Sequence, residues 1–144
     1  MLLMTITLHV LLSSCEKSFL TLTPPSQATA DNFYKTTADI TNAVTGAYSA
    51  LRSGSMYTGH FIYLMEVRSD NIEDQNPGAN AGMNYNIDRF LALADNGVIR
   101  DAYSALYASI SRCNNTLAHL DVVTDAALKR QYEGELRFLR ALHY

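Results

Sequence analysis

The sequence predicts an all-α fold, and three observations carry that prediction. Apolar residues recur at spacings of three and four over several stretches, no run of alternating apolar and polar residues competes with them, and capping or turn residues bound most of the stretches. The composition, 48% hydrophobic and 17% charged over 144 residues with seven Gly and three Pro, describes one ordinary globular domain at most, or a piece of something larger. That apolar fraction excludes intrinsic disorder.

At the amino terminus, residues 2–12 form an apolar run too short to cross a bilayer, which takes about 20 residues as a helix. The run has the length of a secretory h-region and is followed by Leu12-Ser13-Ser14-Cys15. That order resembles a bacterial lipobox, with residues 1–14 as signal peptide and Cys15 as the residue whose thiol receives the lipid. No Lys or Arg precedes the run, which suggests a start codon placed too late. The alternative is a buried amino-terminal strand carrying a free cysteine. Residues 15–25 then read as a tether, since Thr21, Thr23 and Pro24-Pro25 hold off an early helix.

Residues 26–33 allow one helical turn or two. A helix follows over about 38–52, capped by Thr37, with Ile40, Val44, Ala47, Tyr48 and Leu51 on one face and Ser53-Gly54-Ser55 ending it. A shorter helix is expected from Tyr57 or Gly59 to about Val67, with Phe61, Leu64, Met65 and Arg68 in register. Residues 69–97 change character: they hold six of the ten asparagines together with Pro77, Gly78, Gly82 and Gly97, and read as one long connection. Phe90-Leu91-Ala92-Leu93 is expected to anchor it.

Two strong helices close the chain. The first, about 97–120, carries a stripe of Val98 or Ile99, Ala102, Tyr103, Leu106, Tyr107, Ile110, Asn114, Leu117 and Leu120. The second starts near Asp125 and carries Leu128, Tyr132, Leu136, Leu139 and Leu142, with Glu133 and Arg137 as an i,i+4 pair. Residues 121–124 suit an antiparallel hairpin. Without a stop signal at Tyr144, the chain reads as truncated.

The formal charge of −3, with no run of like charges, excludes an electrostatic grip on nucleic acid. Cys15 and Cys113 form no Cys-x-x-Cys pair, the four His fall into no metal or catalytic spacing, and no phosphate-cradling Gly loop occurs. No motif calls for a cofactor or a metal, and no nucleophile or acid/base pair supports an enzyme. The acidic cluster Asp70, Glu73 and Asp74 misses the calcium-loop spacing at Ile72 and Gln75, and the Asp70-Asn71 pair reads as a turn.

A set of motifs in order resembles the SusD/RagB family: the lipobox cysteine, Phe19-Leu20 near two prolines, Asn32-Phe33-Tyr34, residues 43–51 as Ala-Val-Thr-Gly-Ala-Tyr-Ser-Ala-Leu, Arg68-Ser69-Asp70-Asn71, Tyr107-x-x-Ile110-x-x-x-Asn114, and Gly134-Glu135-Leu136-Arg137-Phe138-Leu139-Arg140-Ala141. The resemblance covers residues 15–144. It implies a helical array resembling tetratricopeptide repeats with long irregular loops, of which 26–144 is the amino-terminal part. It further implies a non-catalytic, surface-exposed lipoprotein of the cell outer membrane, binding an oligosaccharide or other nutrient beside a SusC-like TonB-dependent transporter. Where the family commonly has Trp, this chain has Tyr103, which fills the same packing role with less area.

The remaining motifs have bland readings beside the functional ones. In the 134–140 stretch, Gly134 is expected to permit close approach of another helix while Phe138, Leu139 and Leu142 supply the buried face. Tyr103 and Tyr107 read as core, and Asn114 as a partner for a loop backbone. Sugar recognition needs planar hydrogen-bonding side chains beside an aromatic face. Asn84, Tyr85 and Asn86 in the long connection are the candidate ligand-binding residues, with a loop merely rich in turn residues as the alternative. Periodicity alone equally allows a helical-repeat adaptor that binds a protein or peptide.

Overall fold

The computed structural model describes residues 30–144, and among them every regular element is helical. The signal-peptide, tether and Cys15 assignments lie outside the described residues. The chain divides into one unit up to Phe33 and a second from Tyr34 onward. Of the first, the short helix α1, Ala30–Phe33, is described.

The second unit is built on three helices: α2 (Thr37–Ser49), α4 (Gly97–Ala118) and α5 (Ala126–His143). Each packs against the other two, α4 and α5 as the expected antiparallel hairpin. Helix α2 is capped one residue earlier than its sequence suggests. Thr36 Oγ1 accepts from the Asp39 amide at 3.2 Å while the Asp39 carboxylate accepts from the Thr36 amide at 2.8 Å, so the two close a capping box. The Thr36 hydroxyl also donates to that carboxylate at 2.8 Å, and this bond, followed by the one from the Thr36 amide, holds the Asp39 carboxyl below its usual range. The helix tightens into a 3₁₀ turn at Ala50–Arg52 before Ser53. The Asp125 carboxylate caps α5, accepting from the amides of Ala127 and Leu128 at 2.8 and 3.1 Å, as its position suggests.

Ile40, Val44 and Ala47 of α2, Cys113 of α4, Leu120 and Val123 of the connection, and Tyr132, Leu136 and Leu139 of α5 form the core. Leu136 and Leu139 are fully buried, each contributing about 1.5–3 kcal/mol relative to exposure. The Tyr132 hydroxyl meets Thr41 Oγ1 at 2.8 Å, which satisfies a phenol that would otherwise lose its water. Tyr34 stacks on His119 with centroids 4.3 Å apart. The Cys113 thiol is wholly enclosed, and burial raises its pKa.

Helix α4 corrects the expected stripe. Its inward face is Val98, Ala102, Ser109, Ile110, Cys113 and Thr116, whereas Tyr103 is 60% exposed and Tyr107 49% exposed. At 3.6 residues per turn the two tyrosines lie about 100° and 140° round the helix from Ala102, so they cannot share its face. The physical reason is that small residues let α2 and α5 approach closely. Ser109 and Thr116 are cheap to bury because their hydroxyls bond the carbonyls of Ala105 and Arg112 at 2.9 Å. Tyr103 and Tyr107 instead pair with each other on the outside, with centroids 4.5 Å apart.

Helix α5 corrects a second expectation. Leu139 is buried, but Phe138 and Leu142 are exposed, and nothing lies within 4 Å of where a Cβ on Gly134 would sit. The face that meets α2 and α4 is Tyr132, Leu136, Leu139 and His143, and Phe138 falls outside it. Tyr48, expected on the inner face of α2, is 40% exposed. Asn114, expected to bond a loop backbone, accepts from Arg140 Nη1 at 2.9 Å and so ties α4 to α5. The Glu133–Arg137 pair forms as expected.

Candidate functional site

The segment between the first two long helices is more ordered than one long connection. Its leading part, the expected helix at 57–67, is helical only at its end, with a π-turn at Ile62–Glu66 that buries none of its own residues. Met56 and Val67 on either side are buried instead, while Met65 is exposed and Phe61 and Leu64 half-buried. The chain then turns at 69–71, where Ser69 Oγ donates to the Glu66 carbonyl at 2.6 Å.

Residues 79–88, expected as loop, form a 3₁₀ turn, Ala79–Gly82, that runs into a short helix α3, Met83–Asp88. The entry is set by Asn76, whose Oδ1 accepts from the amides of Gly78 and Ala79, both at 3.1 Å. Asn80, Ala81 and Gly82 all have left-handed backbone, with φ of 49°, 51° and 74°. Gly82 adopts this freely; a Cβ there would also come within 3.0 Å of the Pro77 carbonyl oxygen. The helix is pinned by Ile87, which is buried, and by Asn96. Asn96 Nδ2 donates to the Met83 carbonyl at 3.0 Å while its Oδ1 accepts from the Val98 amide at 3.0 Å, so one side chain caps α4 and holds α3 to it.

On this helix Asn84, Tyr85 and Asn86 are all half-buried and, being consecutive, point about 100° apart. Tyr85 is joined to a residue the sequence reading passed over: the Arg89 guanidinium sits 5.4 Å from its ring centroid. The i,i+4 spacing of an aromatic and an arginine was the available signal. Arg89 also forms ion pairs with Glu73 and, at 3.6 Å, with Asp88. The hydrogen bond to Glu73 is the main cause of a raised Arg89 pKa. The side-chain bond from Gln75, then Arg89, holds the Glu73 carboxyl below its usual range. Asn84 turns inward, with Oδ1 sealed from solvent and unbonded. Asn86 lies beside Gly82, and its carbonyl accepts from the Leu91 amide at 2.7 Å.

The acidic residues at the start of the segment are occupied in holding it together. Glu73 is tied to Arg89, and the Asp74 Oδ1 accepts from the Asn76 amide at 2.9 Å. Among the described residues no three His, Cys, Asp or Glu side chains gather closely enough to hold a metal ion.

The 90–93 stretch overturns the expectation of an apolar anchor. Phe90, Leu91 and Leu93 are 67%, 62% and 71% exposed, and Phe90 has a left-handed φ of 58°. The buried anchor is Ile87, one turn earlier, and the chain leaving α3 turns Phe90 outward. Arg68 lies 4.7 Å above the Phe90 ring, and the two residues, with Leu64, Ile87, Ala92 and Ile99, line a small apolar cleft of about 170 Å³.

Two curated relatives share detectable sequence with this chain, both from Formosa agariphila. SusD-like protein P2 is 25% identical over 115 residues, covering 79% of this chain and 23% of that protein. SusD-like protein P25 is 29% identical over 140 residues, covering 91% of this chain and 26% of that protein. The chain therefore spans about a quarter of the length of the curated relatives it matches. No family model and no solved structure matches it. An all-α body with a structured asparagine-rich segment, resembling SusD-like proteins over most of its own length, is what sequence and fold together establish.

Proposed function

We propose that this chain is the amino-terminal part of a non-catalytic lipoprotein on the surface of the outer membrane, which binds a nutrient glycan and works with a SusC-like TonB-dependent transporter in its uptake. The observation that carries the reading is the similarity to two SusD-like proteins across most of the chain. In this reading residues 1–14 are a signal peptide, Cys15 carries the lipid, 15–25 are the tether and 26–144 open the helical domain. Among the described residues no helix is long and apolar enough to cross a membrane, and attachment in this proposal rests on Cys15.

The helical body offers a rigid support on which α3 presents the Tyr85–Arg89 pair, and binding residues concentrate on segments held in this way. Tyr85 stacks against a sugar face and the Asn86 amide supplies hydrogen bonds at its edge, whereas Asn84, expected to join them, is turned inward and takes no part in this reading. The test is calorimetric titration of the full-length gene product with a panel of oligosaccharides, alongside pulldown of a SusC-like transporter. Binding without turnover, weakened by Tyr85→Ala by on the order of 1 kcal/mol, is the expected result. Absence of binding to every oligosaccharide overturns the proposal.

One observation favours a second reading, an adaptor for a protein or peptide. Phe138 and Leu142 are exposed one turn apart on α5, with open space beside Gly134 one turn before them, which is a face an amphipathic helix could cover. Capture of a peptide with no oligosaccharide binding would select this alternative.

A further inference from the structure

A second place on the same segment has the features of a ligand seat. Where the Ala79–Gly82 turn meets the start of α4, a cavity of about 350 Å³ opens, lined among others by His60, Asn80, Met83, Asp95, Arg100 and Asp101. That volume falls within the range of about 300–1,000 Å³ usual for small-molecule sites. Four separate parts of the chain converge on it: the approach to the π-turn, the left-handed turn, the residue before the α4 cap, and the first turn of α4.

Two of the polar side chains at this cavity, Asp95 and Asn80, are left free to bind. Neither the Asp95 carboxylate nor the Asn80 amide is bonded to any other described group. Asp101 is met by Arg100 Nε at 3.0 Å, and both side chains keep further hydrogen-bonding capacity. His60 Nδ1 is sealed without a partner, whereas Nε2 is neither sealed nor bonded. The left-handed backbone at Asn80 and Ala81 carries the Asn80 side chain to the rim. Close approach of Met83 to the start of α4 completes the wall: its sulfur accepts from the Gly97 amide at 3.2 Å, and a Cβ on Gly97 would lie 2.8 Å from that sulfur.

These groups select a chemical class. Two carboxylates against one guanidinium give the cavity a negative balance and disfavour an anion. Carboxylate acceptors beside guanidinium and amide donors suit a ligand whose groups both donate and accept, which hydroxyls do. The Met83 side chain adds an apolar contact for ring C–H groups. We propose that this cavity seats one residue of a neutral glycan, with Asp95 and Asn80 bonding its hydroxyls. The proposal rests on the glycan-binding reading above and goes beyond it, by giving the seat and the class of sugar.

The test is titration of the full-length gene product with neutral hexasaccharides of α-glucan, β-glucan, xylan and mannan type and with an oligogalacturonate. For the neutral probe that binds best, Asp95→Ala and Asn80→Gly are each expected to weaken affinity by about ten-fold or more, as loss of a hydrogen bond to a charged or amide group would. Both residues are exposed, and glycine keeps the left-handed backbone at position 80, so unchanged melting temperatures confirm that folding is intact. Unchanged affinity in both variants with a large loss in Tyr85→Ala overturns the seat and leaves the glycan reading standing. Binding of the galacturonate alone overturns the neutral class. Binding of no probe at all overturns the glycan reading and this proposal with it.

Discussion

Asn96→Ala is the substitution that most directly tests how the body positions the candidate site. Asn96 is 6% exposed and performs two tasks, capping α4 through Oδ1 and fastening α3 through the bond from Nδ2 to the Met83 carbonyl. Loss of the cap costs about 1 kcal/mol. An unbonded Met83 carbonyl in a half-buried setting adds about 1–2 kcal/mol, toward the lower end of the desolvation range because water reaches part of it. The sum, about 2–3 kcal/mol, lowers the melting temperature by about 10 °C in a body of this size. Asn96→Asp separates the two tasks. It keeps an acceptor for the first amides of α4 and places negative charge at a helix start, yet it sets a carboxylate against the Met83 carbonyl. Its expected cost is therefore concentrated on α3. Chemical denaturation gives the stability, and amide hydrogen exchange at 83–88 reports the detachment of α3. A loss below about 0.5 kcal/mol in Asn96→Ala, with exchange at 83–88 unchanged, would show that Asn96 neither caps α4 nor fastens α3.

Further substitutions test the core and its register. Leu139→Ala should cost about 2–5 kcal/mol by opening a cavity, whereas Phe138→Ala, one residue away but 65% exposed, should cost less than about 0.5 kcal/mol in this chain; equal losses would show that α5 is rotated. Tyr132→Phe should cost about 1 kcal/mol, and a double-mutant cycle with Thr41→Val should recover most of it as coupling, measured by urea unfolding. His143 is buried with neither ring nitrogen bonded, and burial lowers its pKa from the ordinary 6.5. The unfolded chain then takes up a proton more readily than the folded one, so stability falls as pH drops through about 6.5 and levels off below the folded pKa. His143→Leu should flatten that part of the profile in urea unfolding at pH 7.5 and pH 5; an unaltered slope would remove His143 as its cause. Lipid attachment at Cys15 should appear as a diacylated mature chain by mass analysis after expression in a bacterial host, and a soluble product retaining residues 1–14 would contradict it.

The helices were legible because their signals are local. A 3.6-residue period, a carboxylate or hydroxyl ahead of it and a Gly-Ser break behind it act within one or two turns, and they place α2, α4 and α5 to within a few residues. Much of the asparagine-rich segment was not legible. Its helix α3 is short and depends on contacts 13 residues away in sequence, the Asn96–Met83 bond being one. Asn76 and Gly82 did announce turns, but turn residues do not say whether the chain afterwards runs free or coils.

The all-α class, the order of the long helices, the hairpin of α4 and α5 and the likeness to SusD-like proteins all follow from residue order alone, the last in agreement with the two relatives. Ile40, Val44 and Ala47 of α2 and Tyr132, Leu136 and Leu139 of α5 are buried as their period suggests, whereas packing between segments set the inward face of α4 and turned Phe138 and Leu142 of α5 outward. Hydropathy rewards large apolar side chains and so pointed to Tyr103, Tyr107 and Phe138, yet on α4 the interior took, beside the expected Val98, Ala102 and Ile110, the small polar or soft side chains of Ser109, Cys113 and Thr116. The reason is geometric: three helices meeting on α4 leave room for small side chains, and hydroxyls bonded back to their own helix are cheap to bury. The same holds for the candidate site, since the convergence of His60, Asn80, Asp95 and Asp101 on one cavity depends on how α3 is fastened to α4. No spacing along the chain encodes that meeting; it arises from packing between segments.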